Sequence, residues 1–407
     1  MTRRILLVIF LLVFATGCAT IKGWFSSDKK KALEPAELVE IANPIRVDAA
    51  WSRNLGDGRA RQGLRQRAAI DGERVFVSND EGRVLALDLA TGRTLWDSAA
   101  VEVTRSGSRL SFWKKGIRDG GLSGGPGLGN GMVVAGGRNG EVVALDADTG
   151  AERWRTRVTS EVLASPLVTA GGLIVVRSGD GRVFGLNGHD GSRKWVFDRG
   201  LPNLSVRGNG APIEGGGLVY LGYDDGSIVA LRALDGALAW EQLIAPPEGR
   251  NDLERLADVD GEMQLGLNEL YAVSYHGMMM ALASDSGRPL WNRDIGSYGG
   301  LTLLSDRLLV ADPDGNVWAL DRNSGAALWK QDALARRWLT TPAVQGDYVV
   351  VGDIEGYLHW LRLSDGTLAG RRRIERAPIL GTPQVSASGV LVAVTAEGEL
   401  IAFPQPQ

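Results

Sequence analysis

A single cysteine and three histidines in 407 residues leave this chain with little of the material that metal and disulfide chemistry requires. Cys18 has no second cysteine to pair with, so no intramolecular disulfide can form. His189, His276 and His359 lie far apart, none at i, i+4 from another and none near the cysteine, which argues against a zinc or haem site. No Ser/His/Asp arrangement is readable either. A dinucleotide fingerprint needs a strand before it and a helix after it, but a strand follows the glycine-rich stretch 125–131, which reads as a turn leading into Met132–Ala135. Asp312-Pro313-Asp314-Gly315 begins like a calcium loop, but its glycine arrives two residues early. Charge of one sign is also lacking: the formal net charge is −3, and the basic triplets Lys29–Lys31 and Arg371–Arg373 are too short to make a nucleic-acid footprint. Long apolar runs are absent except for Ile5–Phe14, about half of the ~20 residues that span a bilayer as a helix.

That one apolar run is informative by its position. Arg3 and Arg4 precede it, and the small residues Ala15, Thr16 and Gly17 follow it before Cys18, the order of a secretory signal peptide. The cysteine sits where bacterial lipoproteins are cut and acylated, and the likeness implies a diacylglyceryl thioether at Cys18. Such lipoproteins usually carry Leu three residues before the cysteine where this chain has Ala15, so an ordinary signal peptide with an incidental cysteine stays open. Ala19 rather than Asp after the cysteine goes with an outer-membrane anchor facing the periplasm. Acyl chains each contribute about 0.8 kcal/mol per buried CH₂, so several hold firmly. Removing residues 1–17 takes away two arginines and moves the charge from −3 to −5.

Glycine and tryptophan are plentiful, at 55 and 12. They recur in a repeat: V-F-V-S-N-D-E-G-R-V-L-A-L-D-L-A-T-G-R-T-L-W ends at Trp96, and related copies end at Trp154, Trp195, Trp240, Trp291 and Trp329. A seventh copy has Gly370 at the tryptophan position, and an eighth runs out of chain. The first glycine of each copy is Gly82, Gly140, Gly181, Gly226, Gly277, Gly315, Gly356 and Gly398, mostly near forty residues apart, a period of propellers or solenoids. Each copy reads as antiparallel strands joined by tight turns, the last strand ending on its tryptophan. One four-stranded blade cannot bury both faces, so blades must stack around a ring.

The eighth copy stops before its outer strand, while Asn43–Trp51 reads as a strand ending in tryptophan. The expectation is therefore an all-β chain: an eight-bladed β-propeller of four-stranded antiparallel blades, closed by N- and C-terminal strands in one blade. Residues 1–17 are the signal peptide, 18–42 the lipidated cysteine and a flexible tether, and 43–407 the propeller. As coil the tether would reach about 25 Å.

The turn signature A-L-D-x-x-T-G-x-x-x-W, clear at Ala86–Trp96 and Ala144–Trp154, resembles the tryptophan motif of pyrroloquinoline-quinone (PQQ) propellers. Quinoprotein dehydrogenases use that fold to hold PQQ and Ca²⁺ at a central site, with an adjacent cysteine pair and an acidic base. This chain has no second cysteine, and eight compact blades consume almost every residue from Asn43 to Phe403. Over its whole length the chain is more similar to the BamB family of propeller lipoproteins, with Leu204–Pro212 and Glu254–Asp260 resembling two loops of that family. The resemblance implies that Leu204, Val206 and Arg207 contact BamA, and that Asp258 and Asp260 match an acidic pair in the second loop. Val206 is smaller than the leucine usual there. An arginine flanked by apolar groups can anchor an interface; Arg207 could equally pair with Asp258 or Asp260 and only fix the loop.

The expected function is that of a scaffold, not an enzyme, with no cofactor and no nucleic-acid partner. It would bind BamA and the β-barrel assembly complex and assist folding and insertion of outer-membrane β-barrel proteins, by edge-strand pairing with unfolded clients or by positioning its partner. Two other readings stay open: a PQQ-dependent periplasmic dehydrogenase, and a propeller scaffold for another envelope complex.

Overall fold

The computed structural model describes residues 34–56, 67–79, 81–106, 117–200, 210–245, 259, 261–275 and 277–406. Alternating apolar runs separated by Asp/Asn-Gly turns fold, as their period of two requires, into antiparallel meanders. The described residues form eight four-stranded sheets. Blade 1 is built from Ala69–Asp71, Arg74–Ser78, Arg83–Asp88 and Thr94–Ala99. Blades 2 to 7 repeat the plan over residues 122–157, 167–197, 213–243, 264–293, 301–331 and 343–373. In blade 8 the strands Gln384–Val385, Leu391–Val394 and Glu399–Phe403 are completed by Trp51–Asn54 from the other end of the chain. The first strand of each blade lines the axis, and that of blade 8 lies beside that of blade 1, so the ring is shut. A small hairpin, Val103–Ser106 with Ile117–Gly120, projects between blades 1 and 2.

The core lies between blades. Phe76, Val84 and Ala86 of blade 1 pack with Val133, Ala135 and Val143 of blade 2, and the same mixing recurs around the ring. Full burial of each valine or phenylalanine here is worth about 1.5–3 kcal/mol, so no blade is stable without its neighbours. Seven tryptophans sit at these seams. Trp51, Trp96, Trp154, Trp195, Trp240, Trp291 and Trp329 each donate an indole N–H to a carbonyl in the next blade's outer turn, at 2.8–3.0 Å. Each ring lies on the glycine of that turn, Gly92 beneath Trp51 and Gly150 beneath Trp96, with φ of 68° and 72°. A Cβ on either glycine would come within 2.6 Å of the ring.

Blade 7 differs because blade 8 has no outer turn to receive a tryptophan: its third strand ends at Phe403 and its outer strand arrives from the N-terminus. The large and small partners are exchanged. Elsewhere tryptophan on the outer strand faces alanine or glycine on the third, as Trp96 faces Ala86; here Gly370 faces Trp360. Trp360 is fully buried, donates to Gln345 Oε1 at 2.9 Å and meets Phe403 edge-on. Gly370 leaves room for Ile45, whose side chain a Cβ there would meet at 2.7 Å.

Three sequence expectations are corrected. The outer strands run through their tryptophans, Thr94–Ala99 past Trp96, because the exposed edge continues to pair with the third strand beyond it. The closing strand likewise begins at Trp51 rather than ending there, and pairs Trp51 with Ala402 through to Asn54 with Glu399. Finally, Leu122–Gly129 is an irregular inner strand and only Asn130-Gly131 turns. Crowding at the axis explains its glycines, since a Cβ on Gly127 would lie 1.8 Å from the Pro166 carbonyl oxygen of blade 3.

Of the expected tether, residues 34–42 are described, and they are held to the ring. Ala36 N–H donates to Ala335 O at 3.0 Å, Arg336 to Glu34 O at 2.8 Å, Arg337 to Ala36 O at 2.7 Å and Arg371 to Val39 O at 3.1 Å. Ile45 N–H donates to Ala369 O at 2.8 Å. Residues 34–50 thus form a strap over blades 6 to 8.

Candidate partner-binding face

All the residues singled out for function, Cys18, Leu204, Val206, Arg207, Asp258 and Asp260, lie outside the described residues, but the roots of their two loops do not. Segment 201–209 joins the outer strand of blade 3 to the inner strand of blade 4, and segment 246–258 joins blade 4 to blade 5. Both leave the same face of the ring, on either side of the blade 4 hairpin turn at 223–226.

That turn fastens both loops. Arg199, just before the first, pairs with Asp225 at 2.5 Å and Glu241 at 2.8 Å. Its guanidinium lies 4.9 Å from the Tyr223 ring centre, and Arg177 lies 4.7 Å from the same ring. Arg177 is itself buried, donating to Gly222 O at 2.7 Å and pairing with Asp224 at 3.1 Å. Burial pushes the Tyr223 phenol up to about 12, against the pull of the two arginines. On the other side, Ile244 and Ala245 donate to Gly226 O, and fully buried Val259 donates its N–H to Tyr223 O at 3.1 Å. Buried Val259 is therefore a fixed point at the end of the second segment. The sequence gives no sign of the Arg177–Tyr223–Arg199 sandwich, because its members come from different repeats.

The same face carries an aromatic stack. Tyr275 in the blade 5 turn, Tyr298 in the blade 5–6 connection and Trp338 in the blade 6–7 connection form a row, with ring centres 4.8 Å and 5.2 Å apart. Trp338 lies parallel to Tyr298, is 56% exposed and has φ +51°, rare for a bulky side chain. A legible signal was available: Trp338 falls outside the register that places the seam tryptophans.

Among the described residues an ion pair crosses the axis. Arg67, ahead of blade 1, reaches Glu262, ahead of blade 5 and four blades round a ring of eight, at 2.8 Å; Thr382 of blade 8 donates to the same carboxylate oxygen at 3.0 Å. Of the histidines, His189 lies in an outer turn and His359 is buried against Asp353, while His276 lies outside the described residues. The Asp312 carboxylate is occupied by the Asn316 backbone and side chain and by the Trp318 indole. Among the described residues no cluster of three or more His, Cys, Asp or Glu is placed to hold a metal.

A family profile described as outer membrane protein assembly factor BamB matches residues 46–111, 100–331 and 313–405. A protein of that name from Xanthomonas campestris pv. campestris is 45% identical over 406 residues, covering 99% of this chain and 98% of its own. The crystal structure of BamB from Moraxella catarrhalis superposes with a TM-score of 0.76 at 28% identity, over 88% of this chain and all of that one. Quinohemoprotein alcohol dehydrogenase from Comamonas testosteroni shares the fold at TM-score 0.67, but at 15% identity over 88% of this chain and 76% of that one.

Proposed function

The chain belongs to the BamB family of outer membrane protein assembly factors, and on that premise we propose that it is a scaffold without catalytic activity in the outer-membrane β-barrel assembly machinery. Its partner is BamA, engaged through Leu204, Val206 and Arg207 and through Asp258 and Asp260, and it thereby assists folding and insertion of β-barrel proteins. Cys18 carries the lipid that holds it to the outer membrane, facing the periplasm. The observation that carries the reading is the double rooting at blade 4. Two loops of apolar, basic and acidic composition leave one face from a turn pinned by Arg177, Tyr223, Arg199 and Val259. A rigid base spares a loop part of the ordering cost of binding.

In a dehydrogenase of this fold the cofactor occupies the ring's centre, and here Arg67 and Glu262 meet across it. That strut favours the scaffold over the dehydrogenase. Absorbance after mixing with PQQ and calcium separates the two, the scaffold giving no bound-cofactor spectrum.

The deciding experiment is retention of partners from detergent-solubilised outer membranes on the immobilised chain. Wild type should retain BamA and Arg207→Glu should lose most of it with an unchanged circular dichroism spectrum, since the charge reversal lies outside the repeat core. Loss of folding in the mutant sinks the interface reading; no retention by either protein sinks the partner. Lipidation is read separately by incorporation of labelled palmitate, expected in wild type and absent in Cys18→Ser.

A further inference from the structure

The aromatic stack lies beside the point where the chain arrives from its N-terminus. Arg336 binds the Glu34 carbonyl, Arg337 binds that of Ala36, and Trp338 is the next residue. Fifteen residues, 19–33, separate Cys18 from Glu34. A flexible coil of that length spans about 22 Å root-mean-square, the scale on which a lipid on Cys18 would be tied to Glu34 and the neighbouring Trp338.

The chemistry of the stack suits a lipid–water boundary. Tyr275 and Tyr298 turn their hydroxyls toward each other at 3.5 Å, and Trp338 leaves more than half its surface in solvent. Rings with an apolar body and a polar tip concentrate at membrane interfaces. The charges nearby do not sum to a basic patch: exposed Arg336 is offset by exposed Glu34 and Glu37, and Asp314 faces Tyr298. Attraction to anionic headgroups therefore does not account for the site, whereas ring insertion into a zwitterionic interface does. The left-handed backbone at Trp338 holds this ring outward, in a strained conformation of the kind that gathers at functional sites.

We propose that Tyr275, Tyr298 and Trp338 form a membrane-contact ledge that seats the propeller against the phospholipid interface next to its acylated terminus. The proposal rests on the lipid-anchor reading for its setting, and the test is arranged to be independent of it. The mature chain, residues 18–407, is coupled through its sole cysteine to a maleimide-headgroup lipid in phosphatidylcholine vesicles, so the anchor is supplied chemically. Tryptophan emission is compared between vesicles with acyl chains brominated near the carbonyl end and unbrominated vesicles. Bromine should quench the wild-type chain, and both Trp338→Phe and Trp338→Gly should lose the part of the quenching carried by that ring. The glycine variant suits the positive φ, so loss of fold does not confuse the result. Equal quenching in all three chains overturns the proposal. So does a ring untouched by bromine whose emission shifts when solubilised assembly complex is added, which would make the ledge a protein-docking surface. Absence of palmitate labelling in cells would refute the anchor without altering either result.

Discussion

Asp353 in blade 7 takes four hydrogen bonds on its two oxygens. Arg337 and His359 bind one oxygen at 2.7 Å and 2.9 Å; the Glu355 and Tyr357 backbone N–H groups bind the other, each at 2.9 Å. Burial opposes ionisation of Asp353, but the bonds from His359, Tyr357 and Arg337 outweigh it and hold the carboxyl below its ordinary range. Burial likewise lowers His359, with Arg371 and Arg337 acting in the same sense against the attraction of Asp353. His359 is thus neutral in the folded chain, which matches Arg371 donating to its Nδ1 at 3.3 Å. Between its folded value and the unfolded ~6.5, the unfolded chain binds the extra proton, so stability falls as pH drops through that window. Asp353 adds a second loss on acidification below ~4. Urea midpoints should therefore decline from pH 7 to pH 5 in wild type and decline less in His359→Gln; identical profiles would remove the assignment. Asp353→Ala leaves Arg337 buried without its main partner and should cost about 3–5 kcal/mol. None of this network was legible in the sequence beyond a histidine beside a turn, because Arg337 lies in a connection with no repeat register.

At the scale of the element, the repeating unit is less the blade than the seam, where a tryptophan of one blade is received by a glycine and a carbonyl of the next. The glycine-turn and tryptophan signature was readable because both halves of this contact are written in each of the first six copies, most fully at Asp88–Trp96 and Asp146–Trp154. Glycine there answers two demands at once, a left-handed φ and the absence of a Cβ under an indole ring. Gly150→Ala should accordingly cost more than the roughly 1–2 kcal/mol of the left-handed backbone alone, seen as a lowered thermal midpoint. Gly370→Trp tests the exception. Restoring the motif to blade 7 should destabilise the chain, because the ring would meet Ile45 and find no turn to dock on. A neutral or stabilising outcome would show that the strap yields at little cost. The strap itself escaped the sequence reading, since residues 34–50 bind through backbone carbonyls and single side chains and carry no alternating pattern.

For the whole molecule, closure depends on residues from both ends. Removing residues 1–33 should leave the thermal midpoint nearly unchanged, whereas removal through Asn54 takes away the outer strand of blade 8, the Trp51 seam and the strap together. That larger deletion should abolish cooperative unfolding, as followed by calorimetry. Blade number, order and the shared blade were all legible, because each glycine-turn repeat is local; the aromatic ledge and the axial Arg67–Glu262 strut were not, because they join residues that only the closed ring brings together. The tryptophan-free seam at Gly370 also has a meaning for chain order. Phe403 and Trp51 lie at neighbouring positions on adjacent antiparallel strands, so a short turn of the D-x-x-T-G kind could join them and new termini could open elsewhere in the circle. In such a circular permutant the eighth blade would gain the receiving turn it now lacks, and glycine at 370 would become a cavity that tryptophan could fill. The position of the one irregular seam is thus a mark of where the circle was cut, and it should travel with the cut.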